Sequence, residues 1–131
     1  MIMELIIEKI FAFVFLLVGS SHLVQPGRWM EFFAWLRTKS FGAFIVVMYT
    51  LPVALVIVAF HNDWTIGPSL FITLAGWIML VKCVVYTVYP HSFNKVASKG
   101  TSVRNFKIAG IVAIIASLAV LLDIYLHPDR T

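Results

Sequence analysis

Charge is what this chain has least of. Lys, Arg, Asp and Glu together make 12% of its 131 residues, against about 25% in a soluble domain, which excludes an ordinary water-soluble globule. Cysteine is nearly absent. Cys83 stands alone, so neither an intramolecular disulfide nor a cysteine-pair metal site can form. No H-x-x-x-H or E-x-x-H pair sets two metal ligands on one helix. Ser-His-Asp spacing, a phosphate-binding glycine loop and a dense carboxylate pair are missing too. No catalytic residue, no metal ligand set and no resident cofactor is therefore expected. Internal repeats and low-complexity stretches are also lacking.

What is there is apolar. Hydrophobic residues make 61% of the chain, and the mean hydropathy is +0.96. The formal charge of +4 does not point to nucleic acid, because the basic residues cluster at the ends of apolar stretches, as topology signals do. The central stretch runs from Pro68 to Pro90. At about 1.5 Å per residue, a helix of that length crosses the roughly 30 Å hydrocarbon core of a bilayer.

Three more stretches read the same way, predicting spans over about 5–24, 41–60, 68–89 and 106–126. The first carries Glu4 and Glu8 against Lys9, not the positive start of a secretory signal, so it reads as a retained span. It ends at Gln25-Pro26-Gly27, since the residue before proline is pushed out of the helical region. Pro52 interrupts span two and frees the Met48 carbonyl, which predicts a kink. Residues 90–107 read as a polar, basic loop. The expected fold is one all-α membrane domain over 1–131, a four-transmembrane-helix bundle.

A short interfacial amphipathic helix is expected over about 28–39, between spans one and two. Trp29, Phe32, Phe33 and Leu36 fall at i, i+3, i+4 and i+7 and make one apolar face. With Arg28, Arg37 and Lys39 at its edges, it suits the membrane interface, either as an anchor or as a docking surface for a partner. Orientation follows from counting. Arg28, Arg37, Lys39, Lys95, Lys99, Arg104 and Lys107 lie on one side, and only Lys9 and Arg130 on the other. The positive-inside rule puts the first group in the cytoplasm and both termini outside.

Lys82 is the one ionisable residue well inside a span, where such a group is by default a functional candidate. Tyr86 follows at i+4, and His22 on span one reaches a similar depth. A Lys82–His22–Tyr86 group is thus a candidate ligand site for a quinone carbonyl, a lipid phosphate or a carboxylate. The plainer reading is that the lysine stem snorkels to the interface. At the other end Glu4, Glu8, His61, Asp123, His127 and Asp129 read as a solvated acidic rim, with Glu8 beside Lys9 and Asp123 paired to His127 at i+4.

Gly19, His22, Pro26 and Trp29 form a G-x-x-H-x-x-x-P pattern followed by an aromatic. In this the chain resembles the small bacterial DoxX-like four-span membrane proteins. The resemblance implies a four-helix bundle in a bacterial inner membrane, brings His22 forward, and implies a link to quinone-dependent redox metabolism. His61-Asn62-x-Trp64, Thr73-x-x-Gly76-Trp77 and Lys82 are similar to an order of residues in other small bacterial membrane proteins, which carries no activity. Two functions follow, beside a lesser alternative in which the carboxylates and imidazoles of the acidic rim handle a metal or other ion. One is a non-catalytic accessory or lipid-associated subunit, with membrane lipids and a membrane-protein partner or second copy as partners. The other is a quinone-associated redox or transport subunit using Lys82, His22 and Tyr86.

Overall fold

Prolines and one serine cap mark off six α-helices among the described residues, with a short 3-10 turn after the last. The computed structural model describes residues 2–130, with the side chains at 96–100 and 130 outside that description. Helix α1 (Ile2–Val24) has Glu4 in its first turn and His22 in its last, each at the favourable pole of the helix dipole. Pro26 opens α2 (Pro26–Arg37), where its missing N–H costs nothing. The chain then turns into α3 (Gly42–Phe60), which carries Pro52 inside it. Near the carbonyl that Pro52 frees, the Thr50 hydroxyl donates to the Val46 carbonyl at 2.7 Å.

Pro68 and Ser69 form a tight turn rather than helix, with i to i−3 bonds from Leu70 N to Gly67 O and from Phe71 N to Pro68 O. Helix α4 therefore starts later than expected and runs Leu70–Val88. Pro90 opens a helix where a loop was expected, α5 (His91–Gly100). Its Phe93 is buried against Tyr86, ring centroids 5.5 Å apart, and that tertiary contact supports a polar segment with little apolar surface of its own. Ser102 caps α6 (Val103–Leu126) by accepting from Asn105 N at 3.1 Å. The cap moves the start of this helix three residues ahead of the expected one.

Among the described residues there are helices and no strand. Three helices, Gly42–Phe60, Leu70–Val88 and Val103–Leu126, are long and apolar enough to cross a membrane. Their outer faces are apolar, with Met48, Val81, Ile115 and Leu118 among the exposed side chains. Apolar surface of that extent marks a membrane or protein interaction site.

The long helices associate as two pairs, α1 with α6 and α3 with α4. Small residues let each pair close. A Cβ on Gly19 would stand 2.9 Å from Ala113 Cβ, and one on Gly110 would stand 2.6 Å from the Gly19 carbonyl. A Cβ on Gly76 would stand 2.8 Å from Ile57 Cβ and closer still to its Cγ2. These are the small-residue approaches that bring membrane helices within packing distance.

The two pairs meet mainly at one end, around Ile7, Phe11, Ala12, Ile57, Ile72 and Val120. We call it the acidic end, since Glu4, Glu8, Asp63, Asp123 and Asp129 lie there. At the opposite, basic end, α2 and α5 fill in, and Leu36, Ala43, Val47, Cys83, Tyr86 and Phe93 form a second core.

Candidate functional site

The residues singled out around Lys82 do not converge. Lys82 is exposed on the outer side of α4, whereas Tyr86 is buried and packs edge-on against Phe93. His22 belongs to another cluster. Its Nδ1 donates to the Val18 carbonyl at 2.7 Å, and its ring stacks on Trp29 at 4.3 Å and leans on Phe106 at 5.4 Å. The inward Lys82–His22–Tyr86 arrangement is therefore corrected. Cys83, one residue on, takes the buried position, and a helix turns by about 100° per residue, which sends Lys82 outward.

The apolar face of α2 is divided. Trp29 donates its Nε1–H to Ser21 Oγ at 2.9 Å, Phe33 stacks with Phe106 at 5.7 Å, and Leu36 is fully buried. Phe32 and Trp35 remain exposed, and Lys39 Nζ sits 5.4 Å from the Trp35 ring centre. Most of the expected docking face is thus spent on the protein's own core.

The densest polar constellation lies at the acidic end, under the loop between α3 and α4. His61 is the residue at which α3 stops. Its N–H still bonds the Ile57 carbonyl at 2.7 Å, but its backbone is extended, at φ −137° and ψ 93°. That bend turns the imidazole inward, where it is 0% exposed. Its Nε2 lies 3.2 Å from Glu8 Oε1 and its Nδ1 2.9 Å from Thr73 Oγ1. Glu8 is 2% exposed and Thr73 0%. Thr73 Oγ1 also lies 2.9 Å from the Asp63 backbone carbonyl. One chain of contacts thus joins α1, the end of α3, the loop and the first turn of α4.

The loop itself is tied down residue by residue. The Asn62 carboxamide oxygen accepts from Trp77 Nε1 at 2.9 Å. Asp63 Oδ1 accepts from the Thr65 N–H at 3.0 Å and from the Thr65 hydroxyl, and Oδ2 accepts from the Ser69 hydroxyl at 2.8 Å. The Thr65 hydroxyl does most to hold the Asp63 carboxyl below its ordinary 3.8; partial burial opposes it, and the Thr65 N–H, Ser69 and His61 add to the lowering.

Part of the expected rim stands: Asp123 pairs with His127 at 3.1 Å. Glu8 and His61, expected to be solvated, are buried against each other instead. The spacing did contain a signal for Glu8. Glu8, Phe11, Ala12, Phe15 and Gly19 recur at i, i+3, i+4, i+7 and i+11, which places the carboxylate on the packed face of α1. Nothing local marks His61 as inward, because that depends on how α3 ends. A carboxylate, an imidazole and a hydroxyl in a dry site can hold and exchange a proton. Among the described residues no group of three His, Cys, Asp or Glu side chains is placed to hold a metal ion. Comparison of the sequence with protein-family models, curated proteins and solved structures finds no match.

Proposed function

We propose that the protein is a four-span integral membrane bundle serving as a non-catalytic, lipid-associated accessory subunit of a membrane assembly. Helix α1 is its fourth span: 23 residues, laid along α6 through Gly19 and Gly110. The charge asymmetry puts α2 and α5 on the cytoplasmic side and both termini outside. The resemblance to DoxX-like proteins suggests a bacterial inner membrane.

The observation that carries the reading is the exposed remainder of α2. Phe32 and Trp35 project from a helix whose other face is locked into the core, with Arg28 exposed nearby and Lys39 lying over Trp35. An aromatic pair flanked by cations is suited to the boundary between acyl chains and anionic headgroups. Lys82, His22 and Tyr86 lie apart, which favours this reading over a quinone-associated one.

Purification from the native membrane in mild detergent, followed by mass measurement of the intact particle, tests this. Phospholipid retained in fixed ratio, with a stoichiometric partner protein or second copy, is the expected result, and Phe32→Glu with Trp35→Glu lowers lipid retention. Stoichiometric quinone without retained lipid would overturn it.

A further inference from the structure

The hydrogens in the chain Glu8–His61–Thr73–Asp63 can be counted. Thr73 has one hydroxyl hydrogen. In one of the two arrangements that fit these positions, that hydrogen points to the Asp63 carbonyl, 2.9 Å from Thr73 Oγ1, which can only accept. Thr73 Oγ1 must then accept from its other neighbour, the His61 Nδ1 at 2.9 Å. His61 therefore carries its ring proton on Nδ1. Its Nε2 faces Glu8 Oε1 at 3.2 Å. A bare ring nitrogen and a carboxylate oxygen would oppose lone pair to lone pair there, in a site where Glu8 is 2% and His61 0% exposed. One further proton must lie between them, on Nε2 or on the carboxyl.

We infer that Glu8 and His61 form a single-proton binding site whose occupancy decides whether the Thr73 hydroxyl ties the 61–69 loop to α4. The coupling follows from the same count. When the bound proton leaves to water at the acidic end, His61 keeps one ring hydrogen. That hydrogen is needed on Nε2, where it donates to the Glu8 carboxylate. Nδ1 becomes an acceptor, and the Thr73 hydroxyl swings its hydrogen from the Asp63 carbonyl to Nδ1. The loop loses the Thr73 bond to α4, while the Trp77–Asn62 bond stays, without any change in heavy-atom packing at the pair. Asn62, held by Trp77, sits beside the Thr73 bond.

Among the described residues, other ionisable groups around the site are few. Helix α1 contributes Glu4 and Lys9, the loop Asp63, and α6 Asp123 with its partner His127. Below His61, α3 has no ionisable side chain until Tyr49, and α4 has none before Lys82. The inference is independent of the lipid-associated reading, because it concerns the opposite end of the bundle and needs neither lipid nor partner.

The test is a pH titration, from mildly acidic to alkaline, of the full chain in lipid nanodiscs. It follows the His61 ring nitrogens by nuclear magnetic resonance and the 61–69 amides by hydrogen exchange. The expected result is one transition in which Nδ1 loses its hydrogen and Nε2 keeps one. Across it, intrinsic-rate-corrected loop exchange rises by roughly fivefold, the change that corresponds to one ordinary hydrogen bond.

In Glu8→Gln the carboxamide N–H can donate to Nε2, so Nδ1 stays protonated and the loop stays tied at every pH. In Thr73→Val the loop exchanges fast throughout. A bare Nδ1 in acid, a wild-type loop indifferent to the transition, or a Glu8→Gln loop that still responds would each overturn the inference. Should Glu8→Gln fail to fold, the wild-type ring-nitrogen pattern and Thr73→Val still decide it.

Discussion

Gly76→Ala is the smallest change that probes how the α3–α4 pair is held. The added Cβ would stand 2.8 Å from Ile57 Cβ and closer to Ile57 Cγ2, whereas carbon atoms rest at about 3.5–4.0 Å. Ile57 cannot step aside. It is 0% exposed, and a β-branched side chain in a helix has essentially one χ1 rotamer. The helices must therefore separate by roughly an ångström along their contact, which places the cost in the overpacking range of about 1–3 kcal/mol.

Ile57→Ala deletes Cγ2 and the rest of the branch but leaves Cβ, so it relieves part of the clash. The double variant should be milder than the sum of the singles, with a coupling of about 0.5–3 kcal/mol. The assay is reversible unfolding in mixed micelles, following helicity as the denaturing detergent fraction rises. Gly27→Ala is the control, because a Cβ there meets nothing within 4 Å; it should match or slightly exceed wild type. A Gly76→Ala protein within about 0.5 kcal/mol of wild type, or an additive cycle, would refute the close-packed account of this pair.

Asp63 makes the loop acid-sensitive. Its carboxyl is held below 3.8, so its stabilisation is fully present above that pH and is lost as pH falls through the depressed value; Asp63→Asn should weaken loop protection at neutral pH and flatten that acid limb in hydrogen exchange. Lys82→Met should insert and unfold like wild type in the micelle assay, since the lysine is exposed; a large loss of stability would show that it has a partner. Trp29→Phe deletes the bond to Ser21 Oγ, and a cost of about 1 kcal/mol is expected. Cysteines replacing Ile66 and Asn94, both exposed, should label from opposite membrane faces in a Cys83→Ala background, with Asn94 cytoplasmic; labelling from one face would end the four-span topology.

What the sequence determined alone was whatever depends on composition along one helix. Apolar run length over 41–60, 68–89 and 106–126 picked out, to within a few residues, the three helices long and apolar enough to cross a membrane, because that capacity is a matter of length and hydropathy. Pro26 and Pro90 marked helix boundaries through backbone sterics, and Asp123 with His127 was readable from i, i+4 spacing. Gly19, His22, Pro26 and Trp29 were visible as a pattern. Their roles were not, since Gly19 meets Gly110, which is far along the chain on α6, and Trp29 folds back onto His22.

The tertiary structure decided which polar residues are inside. Lys82 is the single charge of α4, and Glu8 is one of three near the start of α1, with Glu4 and Lys9. Lys82 faces outward beside the buried Cys83, while the α1–α6 packing turns Glu8 onto an imidazole that enters from the end of α3. Helix rotation about its own axis is set by the neighbour it packs against. A charge in a span is therefore legible from sequence, and its partner is not.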